Sequence, residues 1–215
     1  MPHMPDEEAV RSAANNLGRE LDAKQTQQLT TYLGTLIKWN QRMNLVGPGN
    51  WLHIMQTLIQ DSWHLADLLH SHGLTPHSTL DLGAGAGLPG IPLRMFWTHG
   101  EYFLVEPRQK RAIFMEQALA SLHLPRTHVL CARMEDLGQE HHQAGLIVSR
   151  AFKPWQTLLH DVRSYLSPGG QVVIMSHAPQ PDAFVSGYML EHVASYTVQG
   201  AERFFWLFMK EEEPD

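Results

Sequence analysis

Residues 80–92 read Leu-Asp-Leu-Gly-Ala-Gly-Ala-Gly-Leu-Pro-Gly-Ile-Pro, and this run restricts the fold more than any other stretch of the 215-residue chain. A short apolar segment carrying Asp81, then glycine at 83, 85 and 87, describes a strand turning sharply into a helix. Glycine takes positive φ without strain and lets a ligand lie directly on the main chain. Pro89 suits a first helical turn, where a backbone donor would be unpaired anyway and φ is already helical. The loop is expected to offer free N–H groups and a helix N-terminus to a polar ligand. It reads as a nucleotide-type cofactor site.

Gly85, Gly87 and Gly90 also satisfy G-x-G-x-x-G, the dinucleotide fingerprint. That fingerprint brings a pyrophosphate onto a helix N-terminus, where the dipole favours negative charge. Asp81 at the mouth of the turn would repel pyrophosphate and attract a cationic amino-acid group. S-adenosylmethionine carries an ammonium and a sulfonium and has no phosphate, so Asp-x-Gly-x-Gly-x-Gly fits it better. An NAD-dependent oxidoreductase rests on the three glycines alone.

Around the loop the hydrophobic period changes. Leu29, Tyr32, Leu33, Leu36, Ile37 and Met43 recur at helical spacing across residues 21–44, and a second helical pattern spans 51–70. Val46-Gly47-Pro48-Gly49-Asn50 separates them as a turn. Residues 1–72 are therefore expected to form a helical extension. Short apolar segments then follow at 79–82, 102–105, 128–131, 146–149 and 171–175, with helical stretches at 91–97, 109–123 and 154–166. Repeated strand–helix units predict an α/β domain over residues 73–210, with a parallel sheet covered on both faces. The segments 192–198 and 203–209 are joined too closely to be anything but antiparallel. Residues 211–215 form an acidic tail.

Composition narrows the setting. No apolar run approaches the roughly 20 residues needed to cross a bilayer. The N-terminal Met1-Pro2-His3-Met4-Pro5-Asp6-Glu7-Glu8 is polar and acidic, unlike a signal peptide. Cys131, the single cysteine, excludes an internal disulfide and fits a reducing, cytoplasmic setting; within the 128–131 strand it is expected to be a small core residue. The net charge of −6 opposes broad phosphate neutralisation, yet Arg108, Lys110 and Arg111 form one basic cluster and Arg150 with Lys153 another. The 14 histidines show no zinc spacing, so no metal is expected.

Several motifs together resemble the bacterial small-subunit (16S) ribosomal RNA guanine-N7 methyltransferases, the glucose-inhibited division protein B family. They are Trp39-Asn40-Gln41-Arg42-Met43-Asn44-Leu45, the run from Asp81 to Leu93, Glu106-Pro107-Arg108-Gln109-Lys110-Arg111 with Phe114, Arg133-Met134-Glu135, and Ser149-Arg150-Ala151-Phe152. The likeness covers residues 20–210. The chain departs from it at Leu58, where the family has histidine, and at Ser176-His177, where it has Lys-Gly.

The resemblance implies a class I methyltransferase fold of Rossmann type, S-adenosylmethionine as cofactor, and 16S ribosomal RNA or the small ribosomal subunit as partner, with a monomer expected. Asp81 is expected near the cofactor's methionine end, wrapped by the backbone of Gly83, Ala84, Gly85, Gly87 and Leu88. Glu106, at the end of the second strand, is expected on the ribose hydroxyls. By resemblance Met134 and Glu135 lie at the adenine and Arg150 contacts the cofactor. Arg108, Lys110, Arg111 and Lys153 are the expected RNA contacts. Guanine N7 has a free lone pair, so no general base is named; positioning alone can supply about 7–11 kcal/mol of the barrier. The competing readings are a protein or small-molecule acceptor, supported by the two departures, and a cofactor-binding module without activity.

Overall fold

The computed structural model describes residues 4–211. Of the ends discussed above, residues 1–3 and, beyond Glu211, the acidic tail lie outside the described residues. The chain opens with α1 (Glu7–Asn16), capped by the Asp6 carboxylate on the Ala9 N–H at 2.8 Å. Its apolar positions are small, Val10, Ala13 and Ala14, which explains why the sequence reading passed over it. α2 (Ala23–Met43) starts at a reciprocal capping box between Asp22 and Gln25 and stops where Asn44 turns left-handed at φ 47°. Leu29, Tyr32, Leu33, Leu36 and Ile37 all face inward, the stripe that the spacing predicts. The second predicted helix is α3 (Trp51–Ile54) running into α4 (Gln60–Ser71) through a π-helical stretch, Met55–Ile59.

Seven strands follow: β1 (Ser78–Leu82), β2 (Glu101–Val105), β3 (Thr127–Leu130), β4 (Ala144–Arg150), β5 (Leu166–Ser176), β6 (Tyr188–Val198) and β7 (Ala201–Lys210). Their order is β3-β2-β1-β4-β5-β7-β6. The first five are parallel, and β7 inserts antiparallel between β5 and β6, as the close spacing of the last two segments requires. α6 (Gln109–Leu122) covers one face and α7 (Trp155–Val162) the other. The α6 face shares a single core with the N-terminal helices, where Tyr32, Leu36, Ile54 and Trp63 join Tyr102, Leu104, Phe114 and Val148.

Two local expectations change. The helix expected over 91–97 shrinks to α5 (Gly90–Leu93). After it, the buried Arg94 guanidinium donates to the carbonyls of Trp97, Thr98, His99, Gly100 and Pro125, which folds the chain back instead of extending the helix. Cys131 lies one residue past the end of β3 and is exposed, so it is not a core residue. Among the described residues no helix is long and apolar enough to cross a membrane, and no group of three or more His, Cys, Asp or Glu could hold a metal ion.

Candidate active site

The strand order reverses between β1 and β4, and open α/β sheets bind ligands at the carboxyl ends of the strands flanking such a reversal. A cleft of about 440 Å³ opens there. Each of its walls is a segment that follows a strand: Gly83 after β1, Pro107 and Arg108 after β2, Ala132 to Glu135 after β3, Phe152 and Lys153 after β4.

The glycine loop is tighter than the sequence suggests. Gly83, Gly85 and Gly87 take φ of 74°, 61° and 72°, the left-handed conformation anticipated for them. Its N–H groups, however, turn inward. Gly83 and Ala84 donate to the Val105 carbonyl, Gly87 and Leu88 to the Ala84 carbonyl, and Gly85 to the Glu106 carboxylate. The expected row of free donors is therefore absent at these five positions, because the end of β2 and Glu106 take three of them and the turn's own Ala84 carbonyl takes two. Tyr32 from α2 donates to the Ala86 carbonyl at 2.7 Å, and Ser62 from α4 donates to Pro89 at 2.9 Å. The helices thus roof the loop, burying Ala84, Gly85, Gly87 and Leu88 and leaving Gly83 on the cleft. There the Phe152 ring closes in, and a Cβ on Gly83 would come within 2.7 Å of it.

Glu106 stands just below the cleft, buried, with its carboxylate accepting from the Gly85 N–H at 3.1 Å and the Arg108 N–H at 3.0 Å. Arg111, expected at the substrate, turns back to within 3.8 Å of it. A carboxylate offers about four lone-pair sites, and the two backbone donors take one on each oxygen.

Asp81 lies deeper, 1% exposed, and accepts from the Tyr102 hydroxyl at 3.1 Å. Burial pushes its carboxyl up to about 7, against the opposing pull of the Tyr102 hydrogen bond, the Arg150 charge and the Gly90 N–H. Arg150, at the end of β4, points the same way and reaches Asp61 of α4 at 3.3 Å.

Asp61 proves to be the hub of a network that the sequence reading missed. Only 3% exposed, it also accepts from Arg203 of β7 at 2.5 Å and from the Tyr196 hydroxyl of β6 at 3.1 Å. Arg203 donates in addition to the carbonyl of Thr57, within the π-helical stretch. No local signal announces these partners, which lie 135 and 142 residues from Asp61.

The remaining expected residues divide. Met134 is buried in the core that lines the cleft, and Glu135 is exposed beside it. Lys153 lines the cleft but is held by Asp161 at 2.8 Å and Glu135 at 3.1 Å. The hydrogen bond to Asp161 holds the ammonium above the usual lysine range, so it stays charged while the two acids pair it. Arg108 reaches the cleft, whereas Lys110 faces a separate groove against α2.

Comparison with known proteins places this architecture. The family profile of GidB, rRNA small subunit methyltransferase G, matches residues 25–211. The ribosomal RNA small subunit methyltransferase G of Nitratidesulfovibrio vulgaris is 45% identical over 84% of this chain and 83% of its own. That of Oleidesulfovibrio alaskensis is 40% identical over 99% and 98%. Among solved structures, a putative O-methyltransferase from Klebsiella pneumoniae superposes with a TM-score of 0.62 over 96% of this chain and 99% of its own, at 14% identity, a likeness of fold alone. With its sheet, its cleft and its sequence all agreeing, the chain belongs to the rRNA small subunit methyltransferase G family.

Proposed function

We propose that this chain transfers a methyl group from S-adenosylmethionine to N7 of a guanine in small-subunit ribosomal RNA. The observation that carries the reading is the cleft at the β1/β4 reversal in a chain of this family, with a buried acid at the end of β2 and a second acid under the loop. The donor set suits the cofactor. Glu106 has two lone-pair sites left for ribose hydroxyls, Met134 offers an apolar, polarizable contact for a purine, and Asp81 supplies negative charge behind the loop. When bound, S-adenosylmethionine supplies an electrophilic methyl group on a sulfonium.

The chain's own residues have little chemistry left to perform. Guanine N7 needs no deprotonation, so the site has to hold two reactants in line and keep water out. Glu106 and the segment after β3 fix the cofactor side. Phe152, pressed against Gly83, closes the other side with an apolar ring. Arg150 holds positive charge at the end of β4, braced by Asp61.

Two predictions test the cofactor assignments. Glu106→Ala is expected to weaken S-adenosylmethionine binding several-fold by calorimetry, and unchanged affinity removes the ribose role. For Asp81, only the ionised form attracts a cation. With its carboxyl at about 7, the ionised share grows from about one-tenth at pH 6 to about three-quarters at pH 7.5. An α-amino group, ordinarily at about 7.7–8.0, stays roughly 60–75% protonated even at pH 7.5, and the sulfonium keeps its charge throughout. Affinity is expected to rise about five- to sixfold across that interval and to lose that rise in Asp81→Asn. A flat wild-type profile would remove Asp81 from cofactor attraction.

The acceptor is tested directly. Purified protein with radiolabelled S-adenosylmethionine is given small ribosomal subunits from cells lacking the enzyme, with naked ribosomal RNA in parallel. Labelled positions are mapped by N7-methylguanine-specific strand cleavage. One labelled guanine is the expected result; binding of the cofactor without transfer to either substrate would refute the acceptor.

A further inference from the structure

Outside the cleft, a groove of about 640 Å³ runs between the last turns of α2 and the start of α6. Lys38 and Arg42, one helical turn apart, form one bank and Lys110 the other, with Trp39, Met43 and the 45%-exposed Ile113 between them. No carboxylate lines it. Arg42 complements the carbonyl end of its own helix, which does not account for Lys110 on a different element.

The contrast with the neighbouring cations is what gives the groove meaning. Arg19 is paired with Asp67, Arg111 approaches Glu106, Arg150 and Arg203 share Asp61, and Lys153 is held by two acids. Lys38, Arg42 and Lys110 have no such partner among the described residues, nor do Arg108 and Arg133 on the cleft, but only the groove sets three such cations around an apolar floor with no carboxylate. In a chain of net charge −6, three unneutralised cations on one apolar-floored groove form a local field opposite to that of the whole molecule. The groove is separate from the cleft but adjoins it along the chain. Arg108, on the cleft, and Lys110, in the groove, lie two residues apart where α6 begins.

We infer that this groove is a docking surface for the ribosomal RNA backbone, with Lys38, Arg42 and Lys110 on phosphates and the apolar floor against a sugar or base face. The inference rests on RNA being the substrate, and it extends the RNA path from the cleft, where Arg108 and Arg133 also lack an acid partner, onto the α2–α6 side. Spaced cations and an apolar floor suit single-stranded nucleic acid, where phosphate neutralisation and contact with base faces combine.

The test is the salt dependence of binding to naked small-subunit ribosomal RNA, with small ribosomal subunits run in parallel. Each single-strand phosphate contact contributes about 0.7 to the slope of log affinity against log salt, so Lys38→Gln/Arg42→Gln/Lys110→Gln is expected to reduce the slope by about 2. Cofactor affinity and the urea midpoint are expected to stay at wild-type values, because none of the three side chains touches the cleft or the core. An unchanged slope on naked RNA overturns the proposal. So does a loss confined to assembled subunits, which would assign the groove to an acidic ribosomal protein. Wild type that methylates its RNA while the variant slope stays unchanged sinks the groove alone. Wild type that neither binds nor methylates the RNA sinks the acceptor reading with it.

Discussion

Asp61→Ala is expected to lower the stability of the fold by about 3 kcal/mol, the lower end of the range for removing one partner of a buried ion pair. Asp61 gathers Arg203, Arg150 and the Tyr196 hydroxyl around a carboxylate that water scarcely reaches. Alanine would leave the Arg203 guanidinium with the Thr57 carbonyl alone, and its Nε already lacks a partner. The Arg150 arm is longer and more open, so the lower end is the right choice. With a urea dependence of about 2 kcal/mol per molar, the midpoint should fall by about 1.5 M. Asp61→Asn keeps an acceptor oxygen and should lose less. The double variant Asp61→Ala/Arg203→Met removes the stranded charge as well and should recover part of the loss. Equal destabilisation of the single and double variants would show that the charge is not what the network balances.

Gly90→Ala is the second large effect, and simple propensity predicts its sign wrongly. Gly90 begins α5 with ordinary helical φ, where alanine should gain roughly 0.5–1 kcal/mol. Space decides otherwise. An added Cβ would stand 2.5 Å from the Asp81 carboxylate and from a Leu104 methyl, and 2.8 Å from the Tyr102 ring, all of them buried. The helix must lift from the sheet, at about 1–3 kcal/mol for overpacking. Asp81 then loses its Gly90 donor, which adds about 1–3 kcal/mol for a buried acceptor left short. We expect a net loss of about 3 kcal/mol and at least tenfold weaker cofactor binding, read by urea unfolding and calorimetry. Gly49→Ala, where nothing lies within 4 Å of the new atom, is the control. A Gly90→Ala protein as stable as the control would mean that the loop floats freely above β1 and β2.

What the sequence disclosed and what it hid follow from the range of the interactions. Positive φ at Gly83, Gly85 and Gly87 is a local property, as are the strand periods and the hairpin closing the sheet, so each could be read from a few adjacent residues. The inward turn of the loop's donors depends on the Val105 carbonyl and the Glu106 carboxylate, twenty or so positions onward, and could not be read locally. The basic residues show the limit most clearly. Lys110 and Lys153 look alike in a composition count, yet one faces an acid-free groove while the other sits between Glu135 and Asp161. Which cations remain available to RNA is decided by tertiary placement. The Asp61 network lay wholly beyond local reading, since its parts come from α4, β4, β6 and β7.

That same network sets an order of events in the life of the chain. Asp61 is made early, and its partners Tyr196 and Arg203 follow 135 and 142 residues later, on the last two strands. While the chain is being synthesised, the helices and the first parallel strands can gather around the glycine loop, but the acid at their edge has only Arg150 until β6 and β7 bring Tyr196 and Arg203. Because β7 inserts between β5 and β6 instead of adding at the rim, the sheet closes only after Ala201–Lys210 have been made. A chain cut short before Arg203 would carry the glycine loop with Arg150 held only on an Asp61 carboxylate that nothing from β7 steadies.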